Sequence, residues 1–335
     1  MLLKFFKKFL TKKHEKEAAH IETFSSKHEV ADIPTEIQSN SILAKIVYLK
    51  NNRVVGLPNT YYGAQGVVHL EEDRYFEAAQ LVYDKFGIGD HISRIEIISG
   101  LNIGECLATL ENEKLKISIR LSLNLLGVDE HSGCIHPFSQ ESCKKFTDTL
   151  AHELFHAQSI IDLTGRFGLK EYRSILESNN GIAKFGWTIM DEYSVCRLTA
   201  EEYHSYDSTE DVKIRMSFFD TLAIEIQYFS KNGGPTPQQR TDLIDRIVAI
   251  NYALATRCAF ADVSGDTEEH LNLLKWNSGY KPYITKARQI FNQYYAMQPL
   301  SRAQYKEIGY KLMESMLFFL VSTEIDSVVE LLFDE

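Results

Sequence analysis

Residues 149–158 read Thr149-Leu150-Ala151-His152-Glu153-Leu154-Phe155-His156-Ala157-Gln158. Phe146, Leu150, Leu154 and Ile161 recur with the 3.6-residue period of a helix that has one apolar face. On such a helix His152 and His156 lie one turn apart on the same side, close enough to share one metal ion. Glu153 stands beside them and can reach a metal-bound water without ligating the metal. A zinc ion lowers the pKa of that water toward neutrality, and a neighbouring carboxylate can then take its proton. Two histidines four apart also arise by chance on solvated helices, so the flanking sequence has to decide.

Upstream, Lys116 to Asn124 alternates Ile117, Ile119, Leu121 and Leu123 with Ser118, Arg120, Ser122 and Asn124, the pattern of a strand buried on one face. Ser93–Ile98 and about 103–110 read as further strands, and 42–50 with 53–57 as a hairpin turning at Asn51-Asn52. Between them, residues 71–86 have helical periodicity and stop at Gly87. Downstream of about residue 140 nearly everything is helical. Asn232-Gly233-Gly234-Pro235 breaks one helix and Thr236-Pro237 starts the next. The expected fold class is therefore α+β: a small N-terminal sheet with the histidine helix, then a mostly α-helical C-terminal half. The expected divisions are 1–40, an amphipathic segment and linker; 41–205, the core; and 206–335, a helical subdomain.

Bulk properties exclude several classes. The chain has 335 residues, 44% of them hydrophobic and 24% charged, which suits a globular protein. A formal charge of -10 argues against a general nucleic-acid binder. Five cysteines, an odd and widely spaced set, fit a reducing cytoplasm better than a disulfide framework. No stretch approaches the roughly 20 apolar residues of a membrane span. The first residues, MLLKFFKKFLTKKHEK, interleave lysines with Leu2, Phe5, Phe6 and Phe9. This is a poor secretory signal and is compatible only with weak membrane-surface contact through residues 1–12.

The order strand, then HELFH helix, resembles the zincin metallopeptidases, in which an edge strand holds the substrate backbone beside the active-site helix. The resemblance covers about residues 90–205, and its specific part is HELFH. It implies Zn2+ as cofactor, a peptide or protein as substrate, Glu153 as general base, and strand 116–124 as a wall of the peptide cleft. An exposed strand edge can hydrogen-bond an extended peptide whatever its sequence.

A catalytic zinc site keeps three protein ligands and one open position. The stretch 187–202 is similar to the second helix of the gluzincin branch, which implies that Glu192 joins His152 and His156 as the third ligand. Its setting among Ile189, Met190, Val195 and Leu198 is one in which a charge needs a reason. That branch places an aspartate four residues after the ligand to orient a histidine; here the position is Cys196, leaving Asp191 or another group for that task. Asp162, six residues after His156, approximates the metzincin spacing instead. Ser159 replaces the glycine that pattern needs, and continued helix would turn Asp162 away.

Glu201 and Glu202 are reserve ligands, and Tyr193, Tyr203 and His204 are candidates to polarise a substrate carbonyl. The loop 129–136 holds ligand types in no standard zinc spacing and is expected to border the cleft. An alternative from another class remains: a zincin fold kept as a regulatory or binding module with little or no catalysis.

Overall fold

In the computed structural model, strand β1 (Ile46–Lys50) pairs antiparallel with β2 (Arg53–Val55) and parallel with β5 (Ile92–Ile98). The structure describes residues 41–335 apart from 43–44, 51–52, 56–59, 64–65, 102, 112–113, 131, 133, 178–180, 207–214, 216, 267–269, 272–279, 321–324 and 334–335. The amphipathic segment 1–12, the linker to residue 40 and the Asn51-Asn52 turn lie outside the described residues. Met1–Ile37 and Gln38–Glu335 are separate units, and all that follows concerns the second.

Two small hairpins, β3 (Thr60–Gly63) with β4 (Gly66–His69) and β8 (Val128–Asp129) with β9 (Cys134–Ile135), are separate from a five-stranded sheet. Helix α1 (Glu72–Phe86) occupies the crossover from β1 to β5 and ends at Gly87, whose φ of 64° favours glycine. The main sheet runs β2-β1-β5-β7-β6, with β6 (Gly104–Glu111) antiparallel to β7 (Lys114–Ser122) and β5 parallel to β7.

This order corrects the expectation that strand 116–124 is the cleft edge. β7 lies between β5 and β6, and the edge strand is β6. Alternation along a strand reports which face is buried and carries no information about lateral neighbours. The polar face of β7 is used inside the sheet: Arg120 donates to Glu96 of β5 at 2.8 Å and to Glu105 of β6 at 3.2 Å. The apolar face, Ile117, Ile119 and Leu121, is fully buried.

That face packs against α2 (Gln140–Phe167), the histidine helix, through Phe146, Leu150, Leu154 and Ala157, all buried. Ser139 and Ser142 form a reciprocal capping box at its start. Gly165 remains within the helix, and Gly168 (φ 85°) ends it. A short α3 (Leu169–Leu176) leads toward α4 (Ile182–Tyr203).

Among the described residues the remaining helices are α5 (Phe219–Lys231), α6 (Pro237–Ser264), α7 (Lys281–Tyr295), α8 (Arg302–Leu320) and α9 (Ile325–Leu332). α5 gives way to Gly233 and Gly234, both at positive φ, and α6 starts on a Thr236/Gln239 capping box with Pro237 in its first turn. α4 is enclosed on several sides, packing on α2, α6 and α8. The helices after residue 205 thus belong to the same compact unit as the sheet.

The α4–α8 contact is backbone on backbone. A Cβ at Gly186 would lie 2.0 Å from the Tyr305 carbonyl oxygen, and one at Gly309 would lie 2.4 Å from the Ile182 carbonyl oxygen. The molecule is mixed α/β, mostly helical with one small mixed sheet. Among the described residues no helix is long and apolar enough to cross a membrane.

Candidate metal centre

α2 and α4 bring three of the expected residues together. The Nε2 atoms of His152 and His156 are 3.2 Å apart. Glu192 Oε2 on α4 lies 3.8 Å from His152 Nε2 and 3.5 Å from His156 Nε2. Tetrahedral zinc with bonds of about 2.0–2.1 Å needs neighbouring ligand atoms about 3.3 Å apart. The observed edges of 3.2, 3.5 and 3.8 Å come within about 0.5 Å of that length.

Glu192 is only 3% exposed, and its Oε2 is buried without a hydrogen-bond partner. A carboxylate oxygen left so in a protein interior is costly unless a cation faces it. The other oxygen, Oε1, accepts from Cys196 Sγ at 3.0 Å and from Thr256 Oγ1 of α6 at 3.3 Å, so only Oε2 points at the histidines. Burial alone would raise the Glu192 pKa, but the close approach and charge of His152 and His156 hold it well below the ordinary carboxylate range. His152, Glu192 and Cys196 also place ligand atoms within 4.8 Å of one another.

Asp191 supplies the orienting contact. His156 Nδ1 donates to its Oδ2 at 2.7 Å, and Ser159 Oγ donates to its Oδ1 at 2.5 Å. A proton held on Nδ1 leaves Nε2 as the ligating nitrogen. Burial opposes a charged His156, but the Asp191 carboxylate overrides it and raises the imidazole pKa well above its usual value. Ser159, which replaces the glycine of the metzincin spacing, is thus a buttress for Asp191.

Glu153 is 6% exposed and lines the same cavity. Burial raises its pKa, His152 and His156 oppose this, and Glu192 and Glu105 add to it. The edge strand comes unusually near it. A Cβ at Gly104 would lie 2.6 Å from Glu153 Oε1 and 2.8 Å from Thr149 Cγ2, so any larger residue here must displace the Glu153 and Thr149 side chains.

The cavity holds about 540 Å³. Ile103 and Gly104 form one side, with Lys145, Thr149, His152 and Glu153 of α2 beside them. Tyr252 and Thr256 of α6, together with Tyr206 and Arg215, line it as well. Burial and the neighbouring Glu192 and Cys196 keep the Tyr252 hydroxyl protonated far above its ordinary range.

Other candidates lie elsewhere. Asp162 is exposed and accepts from Gln158 at 2.7 Å, and Glu201 pairs with Arg197 at 2.9 Å. Glu202 is exposed. The Tyr193 hydroxyl is engaged by Asp262, Asn292 and Arg197 behind α4. Tyr203 packs against Phe155, and His204 is the left-handed C-cap of α4. Among the described residues, Tyr252 is therefore the tyrosine beside Glu192 in the cavity, which Tyr206 also lines.

In the loop 129–136, Asp129 holds Ser132 at 2.6 Å. Its described residues neither line the cavity nor bring three ligand side chains together. Gly104, Thr256 and Tyr252 carry no local signature in the sequence; contact with α2 and α4 reveals them. Compared with family models, curated proteins and solved structures, the chain has no match.

Proposed function

We propose that the protein is a zinc-dependent metallopeptidase of the gluzincin kind, with His152, His156 and Glu192 as ligands and Glu153 as general base. The observation that carries this is the buried, unpartnered Glu192 Oε2 facing both Nε2 atoms, with Glu153 one residue from His152. Bound zinc would supply Lewis acidity and a water of lowered pKa.

The protein's own groups divide the remaining work. Glu153 accepts the proton of the attacking water and returns it to the leaving amine; its burial-raised pKa suits a group that must both take and give a proton. The Tyr252 hydroxyl, held protonated, donates to the carbonyl oxygen as negative charge develops there. The free edge of β6 offers backbone donors and acceptors to an extended peptide, a task moved from β7 to β6. Asp191 fixes the His156 tautomer and orientation.

The test is zinc content and hydrolysis of a mixed peptide pool by the wild-type, Glu153→Gln, Glu192→Ala and Asp162→Ala proteins. Glu153→Gln is expected to keep zinc and lose hydrolysis, Glu192→Ala to lose zinc, and Asp162→Ala to match the wild type. Zinc retained in Glu192→Ala but lost in Asp162→Ala would refute the ligand set. Hydrolysis undiminished in Glu153→Gln would refute the mechanism. Zinc bound by a wild type that cuts nothing in the pool would point to the regulatory or binding module instead.

A further inference from the structure

The chain has 46 acidic and 36 basic residues, so an arginine finds a carboxylate easily. Arg120, Arg197, Arg246 and Arg288 are each held by one or two of them. Arg215 is different. It lines the cavity at the candidate metal centre, is only partly exposed, and has no carboxylate partner among the described residues. Its Cζ lies 5.3 Å from the centroid of the Tyr252 ring. Tyr252 in turn neighbours Glu192 in the cavity lining, so one aromatic ring separates the guanidinium from a proposed metal ligand.

We propose that Arg215 is the specificity anchor of the cleft and that it selects peptides carrying a carboxylate next to the scissile bond. This rests on the peptidase reading above. A guanidinium presents a planar fork that matches a carboxylate through two parallel hydrogen bonds, and the aromatic face beneath it restricts its orientation. Partial burial strengthens that pairing relative to open water. The reach is suitable: successive Cα atoms are about 3.8 Å apart, so a carboxylate one residue from the reacting carbonyl lies about one ring's width away.

Other charges on the wall do not compete for this role. Lys144 pairs with Asp148 and donates to the Tyr203 carbonyl oxygen at 3.2 Å. Lys145 lies two turns, about 10 Å, along α2 from His152. It adds positive potential without reaching the reacting bond. The carboxylate has two chemical sources, a peptide's own C-terminus or an Asp or Glu side chain, and the experiment separates them.

Binding is measured on zinc-loaded Glu153→Gln protein, so that turnover does not interfere. The probes are acetyl-Ala-Ala-Ala as free acid and as amide, and acetyl-Ala-Asp-Ala-amide against acetyl-Ala-Asn-Ala-amide. The expected result is a preference of roughly tenfold or more for one charged member over its neutral twin, the size of one charge-assisted hydrogen bond. Preference for the free acid assigns the C-terminus, and preference for Asp over Asn assigns a side chain. Adding Arg215→Met is expected to abolish the preference with zinc content unchanged. Arg215→Lys, which keeps charge and loses the fork, is expected to retain part of it.

Equal affinity for charged and neutral twins, including none for either, overturns the proposal. So does full discrimination in Arg215→Met. Hydrolysis of the same four peptides by wild-type protein is scored separately. Selective binding without cleavage would leave Arg215 as a carboxylate anchor and refute only the peptidase reading.

Discussion

Replacing Gly104 with alanine tests how the edge strand and the general base are fitted together. The added Cβ would meet Glu153 Oε1 at 2.6 Å and Thr149 Cγ2 at 2.8 Å, where ordinary contact begins near 3.4 Å. Relief therefore requires a displacement of roughly 0.6–0.8 Å or more, shared between β6 and the Glu153 side chain. Insertion of a methyl into such a packed contact costs about 1–3 kcal/mol of stability. Misplacing a catalytic group by about 1 Å costs on the order of a hundredfold in rate.

His152, His156 and Glu192 are absent from the atoms a Gly104 Cβ would meet, so zinc content is expected to stay intact. Urea melts give the stability, chelator competition the zinc affinity, and peptide turnover the rate. A cycle with Glu153→Ala isolates the contact. Removing the carboxylate should relieve part of the Gly104→Ala cost, giving a coupling of roughly 0.5–3 kcal/mol. Strict additivity of the two changes, together with undiminished turnover in Gly104→Ala, would refute the claim that this glycine seats the base.

Four other outcomes are expected. Gly186→Ala would drive its Cβ into backbone on α8, 2.0 Å from the Tyr305 carbonyl oxygen, so urea melts should show a loss at or above about 3 kcal/mol. Asp191→Asn leaves one oxygen to accept from both His156 and Ser159, and chelator competition should show zinc affinity falling about 10- to 100-fold. Tyr252→Phe removes the hydroxyl at the carbonyl, and turnover should fall about a hundredfold while zinc binding is retained.

The last concerns pH. His156 has its pKa raised in the metal-free fold, so its contribution to stability is full below the unfolded imidazole value, near 6.5, and is lost as pH rises through the raised value. Zinc requires that imidazole neutral and displaces its proton. Thermal melts of metal-free and zinc-loaded protein should therefore diverge as pH rises, and a zinc stabilisation that shrinks toward alkaline pH would contradict this linkage.

The histidine helix was legible because its signals are local: Leu150 and Leu154 set the period, and His152, Glu153 and His156 fall on defined positions of it. The helix stop at Gly87 and the Thr236 cap were equally local. Glu192 was visible as a charge in an apolar run, which the structure explains by the burial of α4 on several sides. Strand position was not legible, because Ile117, Ile119 and Leu121 report one buried face whether a strand is central or at the edge. Tyr252, Thr256 and Arg215 reach the site from helices and loops far along the chain, and their own neighbourhoods carry no mark of it. Asp191 could be named as the histidine's partner, but its geometry, with Ser159 behind it, needed two helices in place.

The glycine crossing of α4 and α8 also bears on when Glu192 can reach the two histidines during synthesis. Glu192 lies on α4, and α4 takes its seat on residues 302–320. The 128 residues from Glu192 to Leu320 take roughly 6–25 s to be added at 5–20 residues per second. Through that interval the nascent chain offers two histidines on a helix and no third ligand in position. The crossing makes synthesis through residue 320 a precondition for seating Glu192 firmly against His152 and His156.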